Sequence, residues 1–268
     1  MAASVRATYF WDVMQHFSSD GVDIAFVDLP APEGAKGDPV LLVHGFASNH
    51  SVNWIYPGWS TTLNRAGYRV IALDNRGHGQ SQKFYDPSCY NSALMAQDCL
   101  NLLDHLGLPR ADVMGYSMGA RITAHLALAH PDRVRSAVLG GLGIRLVDGV
   151  GLPMGIADAL EAPTGDGLTD KQQKMFRSFA EQTRSDLKAL AACIRGTRQT
   201  LTREEAYQIG VPTLIAVGTR DDIAGSPHEL AAMLPNASAV DIPGRDHNLA
   251  VGDRVFKEAV VAFLAERP

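Results

Sequence analysis

Short β-branched apolar runs alternate along this chain with longer stretches whose apolar residues recur at helical spacing, the pattern of a mostly parallel sheet flanked by helices. The first part differs. Residues near Asp12–Ser18 and Val22–Leu29 flank the turn Ser19-Asp20-Gly21 and predict an antiparallel hairpin. Pro39–Val43 is a compact apolar run meeting the loop His44-Gly45-Phe46, as a buried strand does. Trp59–Arg65 predicts a helix closed by Gly67. Tyr68–Leu73 predicts a strand that runs into the polar, glycine-rich loop Asp74–Ser81. Next come a helix over Ser92–Leu106 stopped by Gly107, a strand over Asp112–Tyr116, a helix over Met118–His130 ended by Pro131, and a strand over Ser136–Gly140. These are right-handed strand–helix units in series.

From about Gly143 to Ile209 the rhythm changes to helical signals and turns alone. Thr169-Asp170-Lys171-Gln172 and Thr202-Arg203-Glu204-Glu205 both match the capping box, in which the first and fourth side chains cap each other's backbone donors. A helical stretch inside an alternating series reads as an insertion over one end of the sheet. The series then resumes with a strand over Val211–Val217, a helix over Pro227–Met233, a strand over Ala237–Ile242 and a closing helix over Arg254–Leu264. The expected organisation is an α/β core over residues 1–142 and 210–268, interrupted by a small helical cap over 143–209. No internal repeat or low-complexity tract is visible.

Composition narrows the setting without changing this picture. The 268 residues are 46% hydrophobic and 20% charged, ordinary for a globular protein with a sizeable core. Net charge is -5 and no run of Lys or Arg forms a phosphate-tracking stripe, which argues against a nucleic-acid partner. Cys89, Cys99 and Cys193 are too few and too irregularly spaced for a disulfide framework or a zinc site, and read as free thiols. The first 17 residues lack the apolar core and cleavage site of a signal peptide. No stretch approaches the roughly 18 apolar residues of a membrane helix. The expectation is a soluble, cytoplasmic protein with no membrane partner.

Chemistry concentrates at Gly115-Tyr116-Ser117-Met118-Gly119. The five letters are weak evidence in a chain with 25 glycines, but they fall at a predicted strand-to-helix junction, where a nucleophile elbow belongs. A sharp turn there holds the serine in a strained conformation and thrusts its hydroxyl out of the sheet. Glycines two before and two after remove side chains that would collide as helix and strand pack together. The alternative is a glycine-rich turn between strand and helix, such as a phosphate-binding one. A serine hydroxyl needs a base to become a nucleophile. Of nine histidines, His125 and His130 lie on the helix behind the serine, and His105 and His228 look like helix-surface residues. His44 and His78 sit in turns and are rivals to His247, which follows a late strand in Pro243-Gly244-Arg245-Asp246-His247 and is preferred because late loops converge with the elbow at one end of a parallel sheet. The orienting carboxylate is expected from Gly218-Thr219-Arg220-Asp221-Asp222, where either aspartate has the reach, with Asp246 a weaker candidate.

With these pieces in the order Ser117, Asp221, His247, the chain resembles the serine-nucleophile branch of the α/β-hydrolase family. The turn His44-Gly45-Phe46, the loop Asp74–Ser81 and the loop Pro243–His247 add to the resemblance, which covers the whole chain except the cap. It implies an acid three residues after Gly218, hence Asp221; family members often carry proline at the next position, where this chain has Asp222. It also implies an oxyanion hole from the backbone N–H groups of Phe46 and Met118, with His44 and the loop around Arg76 and His78 architectural. A serine elbow argues against the aspartate-dependent dehalogenase and epoxide-hydrolase branches. It leaves esterases, lipases, thioesterases, amidases, carbon–carbon bond hydrolases and cofactor-free perhydrolases, since fold alone does not settle the reaction.

The expected reaction is hydrolysis of a carboxylic ester of a small or medium substrate, with no metal and no cofactor. Trp54, Tyr56 and Trp59 either line an acyl pocket or pack the first helix on the sheet. Met175, Phe176 and Phe179 either cover the site or form the apolar face of a helix. A second class is a small-molecule signal receptor that keeps the triad with vestigial activity. A dinucleotide-binding oxidoreductase is excluded by the early loop His44–Ser48, which lacks the glycine fingerprint.

Overall fold

The structure is a computed structural model that describes residues 13–149 and 151–267. The start of the first expected strand at Asp12, and most of the stretch read for a signal peptide, lie outside the described residues. Among the described residues eight strands form one sheet: β1 (Gln15–Ser19), β2 (Val22–Leu29), β3 (Pro39–Val43), β4 (Arg69–Leu73), β5 (Ala111–Tyr116), β6 (Val134–Gly140), β7 (Thr213–Gly218) and β8 (Ala237–Ile242). Their order is β1-β2-β4-β3-β5-β6-β7-β8. β1 and β2 pair antiparallel around Asp20-Gly21, and β2 pairs antiparallel with β4. From β4 to β8 every pairing is parallel.

All five residues of β3 and all six of β5 are buried, as expected for strands covered on both faces. Side chains alternate between faces with the period of a strand. Leu41, Val43 and Val113 join one core with the helices α2 (Ser92–His105) and α3 (Met118–Ala129). Val40, Leu42, Met114 and Tyr116 join the other with α1 (Trp59–Arg65) and α10 (Arg254–Glu266). Each large apolar side chain taken fully from water contributes about 1.5–3 kcal/mol, so these two layers hold the sheet in register.

Between β6 and β7 the described residues form five helices: α4 (Arg145–Asp148), α5 (Met154–Glu161), α6 (Lys171–Gln182), α7 (Leu187–Gly196) and α8 (Arg203–Tyr207). α9 (Pro227–Ala231) follows β7. A third apolar cluster joins α5, α6 and α7 to Phe46, Ala47 and Tyr90 of the main body. The helix starts divide by chemistry. Thr202 and Glu205 make the expected reciprocal capping box. At α6 the expectation is corrected: the cap is Asp170, whose carboxylate accepts from Gln173 N at 2.9 Å, and not Thr169. A carboxylate is the stronger acceptor and suits the positive end of the helix dipole. No helix among the described residues is long and apolar enough to cross a membrane.

Candidate active site

The strand order reverses at β3, and the ends of β3, β5, β7 and β8 deliver the candidate residues to one edge, as open parallel sheets do at their carboxyl ends. β5 turns into α3 through Ser117, which takes φ 54° and ψ −112°, a left-handed backbone that a side-chain-bearing residue rarely adopts. The turn is tight because its glycines leave no room for anything else. A Cβ on Gly115 would sit 2.1 Å from Gly119 O, and one on Gly119 would sit 1.9 Å from Val43 O. Helix, turn and the neighbouring strand β3 therefore touch through backbone alone.

The Ser117 hydroxyl lies 2.9 Å from His247 Nε2. His247 Nδ1 lies 2.7 Å from Asp221 Oδ2. A carboxylate only accepts, so Nδ1 carries the proton and Nε2 presents its lone pair to the serine. The other Asp221 oxygen accepts from Ile223 N at 2.9 Å and Ala224 N at 3.0 Å, which fixes the carboxylate plane. Of the two adjacent aspartates, Asp221 is the one facing His247, with its side chain fully buried. Asp222 is exposed and borders a cavity beside Ser117. Asp246 turns away, capping Asn248 N and Leu249 N. Tyr116 OH donates to the main-chain carbonyl of His247 at 2.6 Å.

The other turn histidines serve the scaffold. His44 Nδ1 donates to Gly45 O at 2.7 Å, and its Nε2 accepts from Asn75 N at 3.0 Å. Burial lowers its pKa to about 4, and burial with His44 nearby lowers that of His78 to about 3, so both are neutral near neutral pH. A second Ser–His–Asp chain is present: Ser51 Oγ is 2.9 Å from His50 Nε2, and His50 Nδ1 is 2.8 Å from Asp74. It has no elbow, and Ser51 borders neither of the cavities at Ser117. Asp74 also accepts from the main-chain N–H groups of His50 and Gln80, so this chain ties two loops together. Burial opposes ionisation of Asp74, yet the His50 bonds hold its carboxyl well below the usual range.

Neither the Phe46 nor the Met118 N–H has a hydrogen-bond partner among the described residues. Both flank Ser117, one after β3 and one at the first turn of α3. Asn53, which sequence reasoning missed, accepts from Gly45 N at 3.0 Å and so positions the turn that carries Phe46. Asn53 carries no motif and acts within its own loop, eight residues from Gly45, whereas Tyr116 lies inside the elbow motif but acts through its contact with His247, 131 residues away.

Two cavities meet at Ser117 and share only that residue and Phe46 among their linings. One, of about 350 Å³, is bordered by Met118, Leu142, Arg145, Ile194, Asp222 and Ile223. The other, of about 360 Å³, is bordered by Asn53, Met175, Phe176, Phe179, His247 and Asn248. Met175, Phe176 and Phe179 thus come over the site from α6. Trp54, Tyr56 and Trp59, read from the sequence as either pocket lining or helix packing, border neither cavity. Trp54 and Trp59 are wholly buried beneath the site, with Trp59 edge-on to Phe256 at 4.9 Å, and Tyr56 is 78% exposed. Their apolar surface serves the packing of α1 and α10 on the sheet, which is the stronger demand on two indoles so close to it.

A mostly parallel sheet with a serine on a strained elbow, and an acid and a histidine on later loops, defines an α/β hydrolase. A family profile described as alpha/beta hydrolase fold matches residues 38–160. The chain is 28% identical to 2-(acetamidomethylene)succinate hydrolase of Mesorhizobium japonicum, over 93% of this chain and 96% of that protein. It is 26% identical to the non-heme chloroperoxidase CPO-A1 of Kitasatospora aureofaciens, over 91% of this chain and 97% of that protein. The crystal structure of a hydrolase from Pseudomonas aeruginosa PA01 superposes with a TM-score of 0.76 at 26% identity, covering 94% of this chain and 98% of that one. The chain has the α/β-hydrolase fold.

Proposed function

We propose that this enzyme cleaves a carboxylic ester of a small or medium substrate through an acyl-enzyme on Ser117. His247 takes the serine proton as Oγ attacks the carbonyl and gives it to the departing alcohol. Asp221 holds the imidazole in the tautomer with Nδ1 protonated and stabilises the imidazolium. The N–H groups of Phe46 and Met118 receive the negative oxygen of the tetrahedral intermediate. Water then attacks the acyl-enzyme with His247 again as base. The observation that carries this reading is the unbroken line from Asp221 Oδ2 through His247 to Ser117 Oγ, at 2.7 and 2.9 Å, opening onto two cavities.

Turnover of 4-nitrophenyl acetate tests it. A burst of nitrophenol equal to the enzyme concentration, followed by many turnovers, supports the acyl-enzyme. Absence of both counts against ester cleavage. Sustained turnover also counts against a receptor with vestigial activity. The likeness to a non-heme chloroperoxidase favours one further reading, attack of hydrogen peroxide in place of water on the same acyl-enzyme, releasing a peracid. Peracid formation from acetate ester and peroxide, measured against hydrolysis, separates the two.

A further inference from the structure

We propose that Arg145 anchors a carboxylate at the far end of the acyl group, so that the preferred substrates are monoesters of dicarboxylic acids. This inference rests on the ester-cleavage reading. The histidine that accepts the Ser117 proton must pass it to the departing oxygen, which therefore lies within hydrogen-bond reach of Nε2. His247 borders only the cavity lined by Met175, Phe176 and Phe179, so the alcohol leaves through that arm. The acyl group then extends into the other arm, beyond Phe46 and Met118.

Two arginines border the acyl arm, and they differ. Arg121 is spent on main-chain carbonyls, donating to Arg145 O, Leu146 O and Gly149 O at 2.7, 2.9 and 3.1 Å. Arg145 is held everywhere except at its head. Its carbonyl is one of those that Arg121 grips, and its N–H meets Ala224 O at 3.3 Å, on the loop that begins with Asp221. Its aliphatic stem packs against two glycines. A Cβ on Gly149 would come within 3.2 and 3.3 Å of its Cβ and Cδ, and one on Gly225 within 3.1 Å of its Cγ. Arg145 is exposed and borders the cavity beside Ser117, and its guanidinium has no hydrogen-bond or ion-pair partner among the described residues. A pre-positioned stem with an unpaired, planar, permanently charged fork suits a carboxylate bound through two parallel hydrogen bonds. Asp148 in the same arm is already paired with Arg203 at 3.1 Å. Asp222 brings an opposing charge into the arm, so its removal is expected to strengthen anion selectivity.

The test compares 4-nitrophenyl hemiglutarate with 4-nitrophenyl valerate, which match in chain length and leaving group. Wild type is expected to favour the hemiglutarate in kcat/KM by about tenfold or more. Arg145→Gln is expected to erase that ratio, chiefly through KM, and Arg145→Lys to keep part of it. Asp222→Asn raises the ratio. With 4-valeryloxybenzoate, whose carboxylate departs with the alcohol, the ratio to the valerate ester stays put in Arg145→Gln. No preference in the wild type, or equal loss on both acyl groups in Arg145→Gln, overturns the proposal. Calorimetric titration with glutarate supplies a readout without turnover. If no ester is cleaved, the ester reading fails, and glutarate binding decides the anchor: loss in Arg145→Gln sustains it, and equal binding ends it.

Discussion

Tyr116 and His247 stand 131 positions apart, yet the Tyr116 hydroxyl donates to the His247 main-chain carbonyl at 2.6 Å. The strand that presents Ser117 therefore also holds the loop that presents the histidine, and the 2.9 Å contact between Ser117 and His247 is fixed from one side of the elbow. Burial first, then the carboxylates of Asp221 and Asp246, push the phenol well above its usual pKa, so it remains a donor across the working range. Tyr116→Phe keeps the ring and loses this bond. A loss of about 1 kcal/mol in unfolding free energy is expected, with a several-fold fall in kcat and little change in KM, measured by urea titration and steady-state kinetics.

Asn53→Ala removes the acceptor of the buried Gly45 N–H and frees the turn before Phe46. Leaving that donor unpaired costs about 1–3 kcal/mol. If the Phe46 N–H receives the oxyanion, kcat falls about tenfold or more while KM moves less. An equal change in every ester's KM with kcat intact contradicts the placement of Phe46.

Gly119→Ala tests the close approach of α3 to β3. The added methyl would overlap Val43 O, a backbone atom that cannot swing aside. A destabilisation of about 3 kcal/mol or more is expected, read as a lower Tm or as insoluble protein. A variant with unchanged Tm would mean that the elbow is looser than described.

The buried histidines give stability a pH dependence with a definite sign. His78 binds a proton at about pH 3 when folded, against 6.5 for its ordinary value. Between these values the unfolded chain carries the proton and the folded one does not, so stability rises with pH. The contribution is complete above about pH 6.5 and is lost as pH falls toward the lowered value. His78→Gln is expected to flatten the dependence between pH 4 and 6 by up to about 1.4 kcal/mol per pH unit, measured by urea unfolding at several pH values. An unchanged slope would place the effect on other groups.

The elbow was readable because its causes are local: Gly115 and Gly119 are required by contacts within the turn and with the neighbouring strand, and those leave a fixed spacing in the sequence. The succession of strands and helices was readable for the same reason, through periodicity. Residues that act through distant contacts were not. Asp221 and Asp222 are adjacent and chemically identical, so their chemistry does not separate them; the family resemblance favoured Asp221, and the direction of the chain after β7 is what turns it toward His247. Trp54 and Trp59 show as large apolar residues, but the sequence does not say whether they face the cavity or the core beneath it. Asn53 has no periodic or motif signal. Arg145 becomes conspicuous only once the helices after β6 are folded over the sheet and every other group in its arm can be seen to have, or lack, a partner.

The central claim is that Ser117 is the nucleophile, and the most direct measurement is covalent. Wild type and Ser117→Ala are incubated with a fluorophosphonate, and the adduct is weighed intact and mapped by peptide mass spectrometry. One adduct is expected on the wild type, carried by the peptide containing Ser117, none on Ser117→Ala, and a loss of ester turnover in that variant of about a thousandfold or more. An adduct on another residue such as Ser51, or Ser117→Ala as active as the wild type, would contradict it.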